Sequence, residues 1–169
     1  MSTTRFDPIR LLEVLLEEGV EFLVVGGMAG RAWGSPTITN DLDICYSRAK
    51  TNLVRLVHAL QRLHATLRGA PKDLPFVLDE RTLAFGDSFT FDTDFGPLDC
   101  LGTPSGTKGY RDLIERASVF TVGDGLEVSF TALPDLMRMK RAAGRPKDLI
   151  ELEILAAVQE ELENRPPEM

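Results

Sequence analysis

Asp41 and Asp43 stand in the run Asp-Leu-Asp-Ile, with thirteen residues between it and the pair Gly26-Gly27. On a strand, side chains alternate between faces. Asp41, Asp43 and Cys45 then point one way, and Leu42, Ile44 and Tyr46 the other. Two carboxylates about 7 Å apart on one strand face repel each other unless something positive lies between them. The arrangement asks for a cation. Magnesium (or manganese) suits it, because two carboxylates suffice to hold such an ion alongside substrate phosphates and waters. The glycine pair adds a second element. An apolar strand that ends in Gly-Gly and opens a helix brings backbone close to an oxyanion and aims free N–H groups at it. The same pair also serves where two elements only pack tightly.

A two-metal phosphoryl-transfer site takes a further carboxylate from elsewhere in the fold. Asp99, in "GPLDCL", lies between Leu98 and Cys100 and so projects away from the face those two bury. Asp92 and Asp94 compete for the role, but they sit at or near a turn, where aspartate has conformational reasons to be. In "LPDLMRMKRAA" the apolar face of a helix is Leu133, Leu136, Met137 and Ala143, with Lys140 at its centre. Lys140 either snorkels to water over an apolar stem or reaches into a cleft that holds phosphate. Arg145 and Lys147 either bind phosphate or face solvent. Cys45 has no base near it and reads as an inert thiol. His58 and His64, six residues apart, fall on different faces of one helix.

The elements that must position these groups are well punctuated. Asp7, Pro8 and Gly19 bound a first helix. "EFLVV" reads as a buried strand, Gly27 to Trp33 as a short helix, and Asn40 to Tyr46 as a second strand. A long amphipathic helix is predicted from about Ala49 to Leu67, then a loop at "RGAPKDLP". Two strands follow around a turn near Asp94 to Gly96, then a short helix at "YRDLIERA" and a hairpin turning at Asp124-Gly125. Helices over Leu133–Ala143 and Pro146 to about Leu162 complete the pattern, with fraying expected in "NRPPEM". The expectation is one α/β (α+β) domain over 1–169: a mixed-sheet core over about 1–130 and a small helical C-terminal lobe over about 131–163.

With 169 residues, 43% of them hydrophobic and 27% charged, the chain has the composition of an ordinary globular domain. No apolar run approaches the ~18 residues of a membrane span, and no apolar leader stands at the start. Two cysteines give no disulfide framework and suit a reducing cytoplasm. A net charge of −7 argues against nonspecific coating of a long nucleic acid. The five basic residues of "RMKRAAGRPK" form a local exception that suits the phosphates of a small ligand or one end of a nucleic acid.

Gly26-Gly27, Asp41, Asp43 and the later strand-borne Asp99 together resemble the nucleotidyltransferases of the DNA polymerase β superfamily. "GGMAGRAWGSPTITNDLDI" and "LPDLMRMKRAAGRPKDLIELEIL" resemble more narrowly its AbiEii-like and MenT-like branch, many members of which are toxins of toxin–antitoxin pairs. One position departs: Thr37 stands where many relatives carry an arginine. The resemblance implies the nucleotidyltransferase fold and transfer of a nucleoside monophosphate from an NTP such as ATP to a hydroxyl, on an RNA end such as tRNA or on a protein. It implies metal at Asp41, Asp43 and Asp99, and triphosphate held by Gly26, Gly27, Lys140, Arg145 and Lys147. A small antitoxin partner follows from the toxin reading. The competing class is a catalytically silent binding module or partner subunit on the same fold.

Overall fold

The computed structural model describes residues 4–71, 73 and 77–167. Helix α1 (Pro8–Glu17) begins where Asp7 accepts a hydrogen bond from the Arg10 backbone N–H at 3.2 Å, and its buried face is Leu11, Leu12, Val14 and Leu15. Strand β1 (Phe22–Val25) is buried along its whole length and runs directly into α2 (Gly26–Trp33), which Gly34 ends in the left-handed conformation. Strand β2 (Leu42–Tyr46) starts later than its sequence pattern suggests, so Asp41 lies just ahead of it.

The next helix departs from expectation. α3 (Lys50–Arg62) stops well short of Leu67. His64 takes a left-handed φ of 52°, and Thr66–Leu67 form strand β3 at a sheet edge. The cause is tertiary. The Asp94 backbone N–H donates to Leu63 O at 3.0 Å, the Asp94 carboxylate meets the His64 ring, and Leu67 pairs with Phe91. Sheet pairing here overrides a helix pattern that continues in the sequence. Helix α4 (Glu80–Phe85), capped by Asp79 on the Thr82 N–H at 2.8 Å, was not anticipated. Parts of the loop read at 68–75, and the tail residues 168–169, lie outside the described residues.

Strands β4 (Ser88–Thr93) and β5 (Gly96–Leu101) form the expected hairpin, followed by α5 (Tyr110–Ile114). A second hairpin, β6 (Ser118–Val122) with β7 (Leu126–Phe130), leads into α6 (Leu133–Ala143) and α7 (Pro146–Glu163). The seven strands make one sheet in the order β3-β4-β5-β2-β1-β7-β6. Among the described residues only β1·β7 and β2·β5 are parallel, so the sheet is mixed and the fold is α/β with flanking helices.

Alternation divides the central strands between two faces. Phe22, Val24, Leu42, Ile44, Tyr46, Leu98 and Cys100 join the main core with α1 and α3. Leu23, Val25 and Cys45 face the other way, against Leu113 of α5 and Met139 of α6. Asp43 and Asp99 occupy this second, thinner face. Ile44 is fully buried directly behind the carboxylates. Truncating it leaves a cavity in the main core, so Ile44→Ala should cost about 2–5 kcal/mol of stability in chemical denaturation.

Candidate active site

The site rests on one pairing. β2 and β5 run parallel with Asp43 opposite Asp99 and Leu42 opposite Leu98. Leu42 and Leu98 are drawn into the core, so the same pleat turns both carboxylates to the opposite face. Asp41, just before β2, completes the group. One carboxylate oxygen from each of Asp41, Asp43 and Asp99 lies within 4.8 Å of the others, and all three residues are half-buried. The competitors lie elsewhere. Asp92 accepts from Arg68 Nε at 3.2 Å, and Asp94 pairs with His64.

Asp43 carries the electrostatic strain. Burial raises its pKa to about 8, Asp41 and Asp99 add to the shift, and Lys140 opposes it. Its Oδ1 is buried with no hydrogen-bond partner. A buried carboxylate oxygen without a donor, beside two further carboxylates, fits a hard divalent cation bound through oxygen. Asp41 is better supplied, since the Thr39 hydroxyl donates to its Oδ1 at 3.0 Å.

Both glycines have a steric reason to be there. Gly26 has φ +67°, and a Cβ on it would collide with Asp43 Oδ2. A Cβ on Gly27 would come within 2.9 Å of Thr39 Cβ. The pair thus lets the carboxylate and the loop before it settle against the start of α2.

Opposite the carboxylates lies a basic wall. Lys140, 21% exposed, places Nζ 3.6 Å from Asp148 Oδ1. It lines a cleft of about 130 Å³ with Gly26, Asp43, Arg145 and Asp148. A neighbouring cleft of about 280 Å³ adds Gly27, Asp41 and Lys147. Of the apolar face expected around Lys140, Leu133, Leu136 and Met137 are buried, while Ala143 is only partly covered.

Asp148 reads in the sequence as a residue that suits a helix start, and it does form a capping box with Arg145. Its burial, at 1% exposure, shows more. It accepts from Arg145 Nε at 2.6 Å and faces Lys140, and these hydrogen bonds and charges hold its carboxyl below the usual range. Two cations are thereby fixed at the cleft by one buried anion. The basic run of the sequence does not form a single patch. Arg138 turns to Asp112 at 3.0 Å and Asp135 at 3.2 Å. Glu151, unremarked in the sequence, accepts from the Ser35 and Thr37 hydroxyls and ties α7 to the loop before Asp41. Cys45 is buried and its thiol is pushed up to about 12 by desolvation, which suits an inert role.

No protein-family model and no curated protein matches the chain. Among solved structures, it is similar to the lincosamide antibiotic adenylyltransferase LnuA in its lincomycin-bound form. The TM-score is 0.61 at 10% identity, covering 92% of this chain and 99% of that one. It is also similar to ANT(2'')-Ia in complex with adenylyl-2''-tobramycin, with TM-score 0.56, 13% identity, and 92% and 90% of the two chains covered. The solution structure of ANT(2'')-Ia, an antibiotic-resistance factor, gives 0.53 at 12% identity, over 92% and 84%. The fold is therefore the nucleotidyltransferase fold. Among the described residues no helix is long and apolar enough to cross a membrane.

The raised pKa of Asp43 has a definite sign in folding. Its folded value, about 8, exceeds the ordinary 3.8. Stability from this group is therefore full below about pH 4 and lost as pH rises towards 8. In chelator, Asp43→Asn should be more stable than the parent by about 1–3 kcal/mol at pH 8 and nearly equal to it at pH 4, read from urea midpoints.

Proposed function

We propose that the protein transfers a nucleoside monophosphate from an NTP to a hydroxyl acceptor, with a divalent metal held by Asp41, Asp43 and Asp99. The convergence of these three carboxylates on a nucleotidyltransferase fold carries the reading. The Lys140–Arg145 wall beside them supports it, because a triphosphate needs cations on the side away from the metal. Lys140, Arg145 and Lys147 bind its phosphates, and backbone N–H groups at Gly26 and Gly27 approach them closely. The acceptor oxygen forms a bond to the α-phosphorus as the bond to pyrophosphate breaks, and the acceptor's proton passes to a site carboxylate. When bound, magnesium or manganese supplies charge neutralisation for the attacking and leaving oxygens. Lys140 neutralises charge on the departing pyrophosphate.

On the far side of Asp41 lies an open groove lined by Ile38, Asn40, Arg68, Asp92 and Pro97. We assign the acceptor to it. The sequence resemblance favours an RNA end such as that of tRNA, or a protein hydroxyl, and a toxin role with a small antitoxin partner. The structural neighbours, one in a lincomycin-bound form and one in complex with adenylyl-2''-tobramycin, favour a hydroxyl on a small antibiotic.

The test is incubation with magnesium, each labelled NTP, and separate pools of cellular RNA, cellular protein, lincosamides and aminoglycosides. Label should pass to one pool, and Asp41→Asn with Asp43→Asn should abolish the transfer. Nucleotide binding without transfer to any pool would favour the silent binding module. Lys140→Met keeps the apolar stem, so stability should stay within about 1 kcal/mol while NTP affinity, measured by calorimetry, falls about tenfold. A variant that loses stability but binds NTP as before would show a packing role only.

A further inference from the structure

We propose that Arg68 is a built-in counter-ion to Asp99, one that keeps the ion position between Asp43 and Asp99 weak until nucleotide arrives. The inference rests on reading the three carboxylates as a site for two ions, the first held with Asp41 and Asp43 and the second with Asp43 and Asp99.

Arg68 is held from several directions at the end of β3. Its backbone N–H donates to Thr90 O at 2.9 Å. Nη2 donates to Phe91 O at 2.9 Å and to Asp99 Oδ1 at 2.8 Å, while Nε reaches Asp92 Oδ1 at 3.2 Å. The guanidinium therefore sits at a fixed place, against a carboxylate only 17% exposed. One oxygen of Asp99 is taken, and a full positive charge stands beside the position that a second ion would occupy. Lys140 and Arg145, in the basic wall, are paired with Asp148 instead.

Two effects of Arg68 on a divalent ion oppose each other. By orienting Asp99 it saves the freezing of one side chain, a gain of about 10–100-fold in affinity where the ligand is otherwise free to turn. By placing its charge 2.8 Å from Asp99 Oδ1 it repels a cation bound through that carboxylate, and in a partly buried site that costs about tenfold or more. Asp99 is already positioned by the β2–β5 register, so the orienting gain is the smaller effect. Repulsion wins. The bound triphosphate brings negative charge and further oxygen ligands, which offset the repulsion, so the second ion enters with substrate.

The experiment measures Mn²⁺ alone, by calorimetry and by counting bound ions with electron paramagnetic resonance. It compares the parent with Arg68→Met, Arg68→Lys, Asp99→Asn and the double variant Asp99→Asn/Arg68→Met. Arg68→Met should bind the second Mn²⁺ about tenfold more tightly than the parent. Arg68→Lys, which keeps the charge, should stay near the parent, and the double variant should bind like Asp99→Asn alone. A role confined to fastening β3 to β4 would change melting temperature without raising Mn²⁺ affinity. Should Arg68→Met fail to fold, Arg68→Gln, which can still donate to Phe91 O, replaces it. The proposal is overturned if the neutral variant binds Mn²⁺ within twofold of the parent or more weakly, or if the gain survives Asp99→Asn. If no variant binds Mn²⁺ with or without ATP, the metal reading itself fails and takes this inference with it.

Discussion

Mutual repulsion among Asp41, Asp43 and Asp99 is the constraint around which the rest of the molecule is arranged. Three carboxylates within 4.8 Å of one another would not stay together in an unguided chain. Two parallel strands, locked in register by buried leucines, force them together. Every neighbouring feature then either limits the cost or makes use of it. Gly26 leaves space for Asp43, Thr39 satisfies Asp41, Arg68 pairs with Asp99, and Lys140 offsets charge at Asp43.

The two cations nearest the carboxylates are handled differently. Lys140 is shared with a buried anion, Asp148, which also fixes Arg145. Both therefore stay beside the cleft without cancelling the carboxylates outright. Arg68 is in direct hydrogen-bond contact with a member of the carboxylate group. The result is a graded field, from acidic at Asp41 to basic at Arg145 and Lys147, in an acidic protein of net charge −7. Such a gradient matches the polarity of the ligand proposed above, with metal at one end and bare phosphates at the other.

What the sequence made legible is what has a local period. The alternation Leu98-Asp99-Cys100 gives the facing of Asp99, and the same alternation gives the facing of Asp43 in β2. Caps and turns at Asp7, Gly34 and Asp124-Gly125 have equally local causes. The end of α3 does not, because it is set by pairing of Leu67 with Phe91 on a strand yet to come. Arg68 leaves no trace in any periodic pattern, since its role exists only through contacts with β4 and β5. Asp148 is legible as a residue that suits a helix start and as the end of an Arg-x-Lys-Asp segment, but not as an anchor. Its second partner, Lys140, lies on the preceding helix across the Gly144 turn. Side-chain pairs between elements carry no signature within either one.

The β2–β5 pairing also bears on how the chain comes to be folded. Between the two strands lie α3, β3, α4 and β4, so their contact closes a long loop. Contacts of that kind form late, because loop entropy opposes them until neighbouring structure is in place. Before then Asp43 and Asp99 are two separated, fully hydrated acids with no reason to capture an ion. A nascent or half-folded chain lacks the cluster, so an ion that binds only the completed cluster adds only to the native side of the equilibrium. The three-carboxylate cluster is a property of the finished sheet, acquired in the same step that completes it.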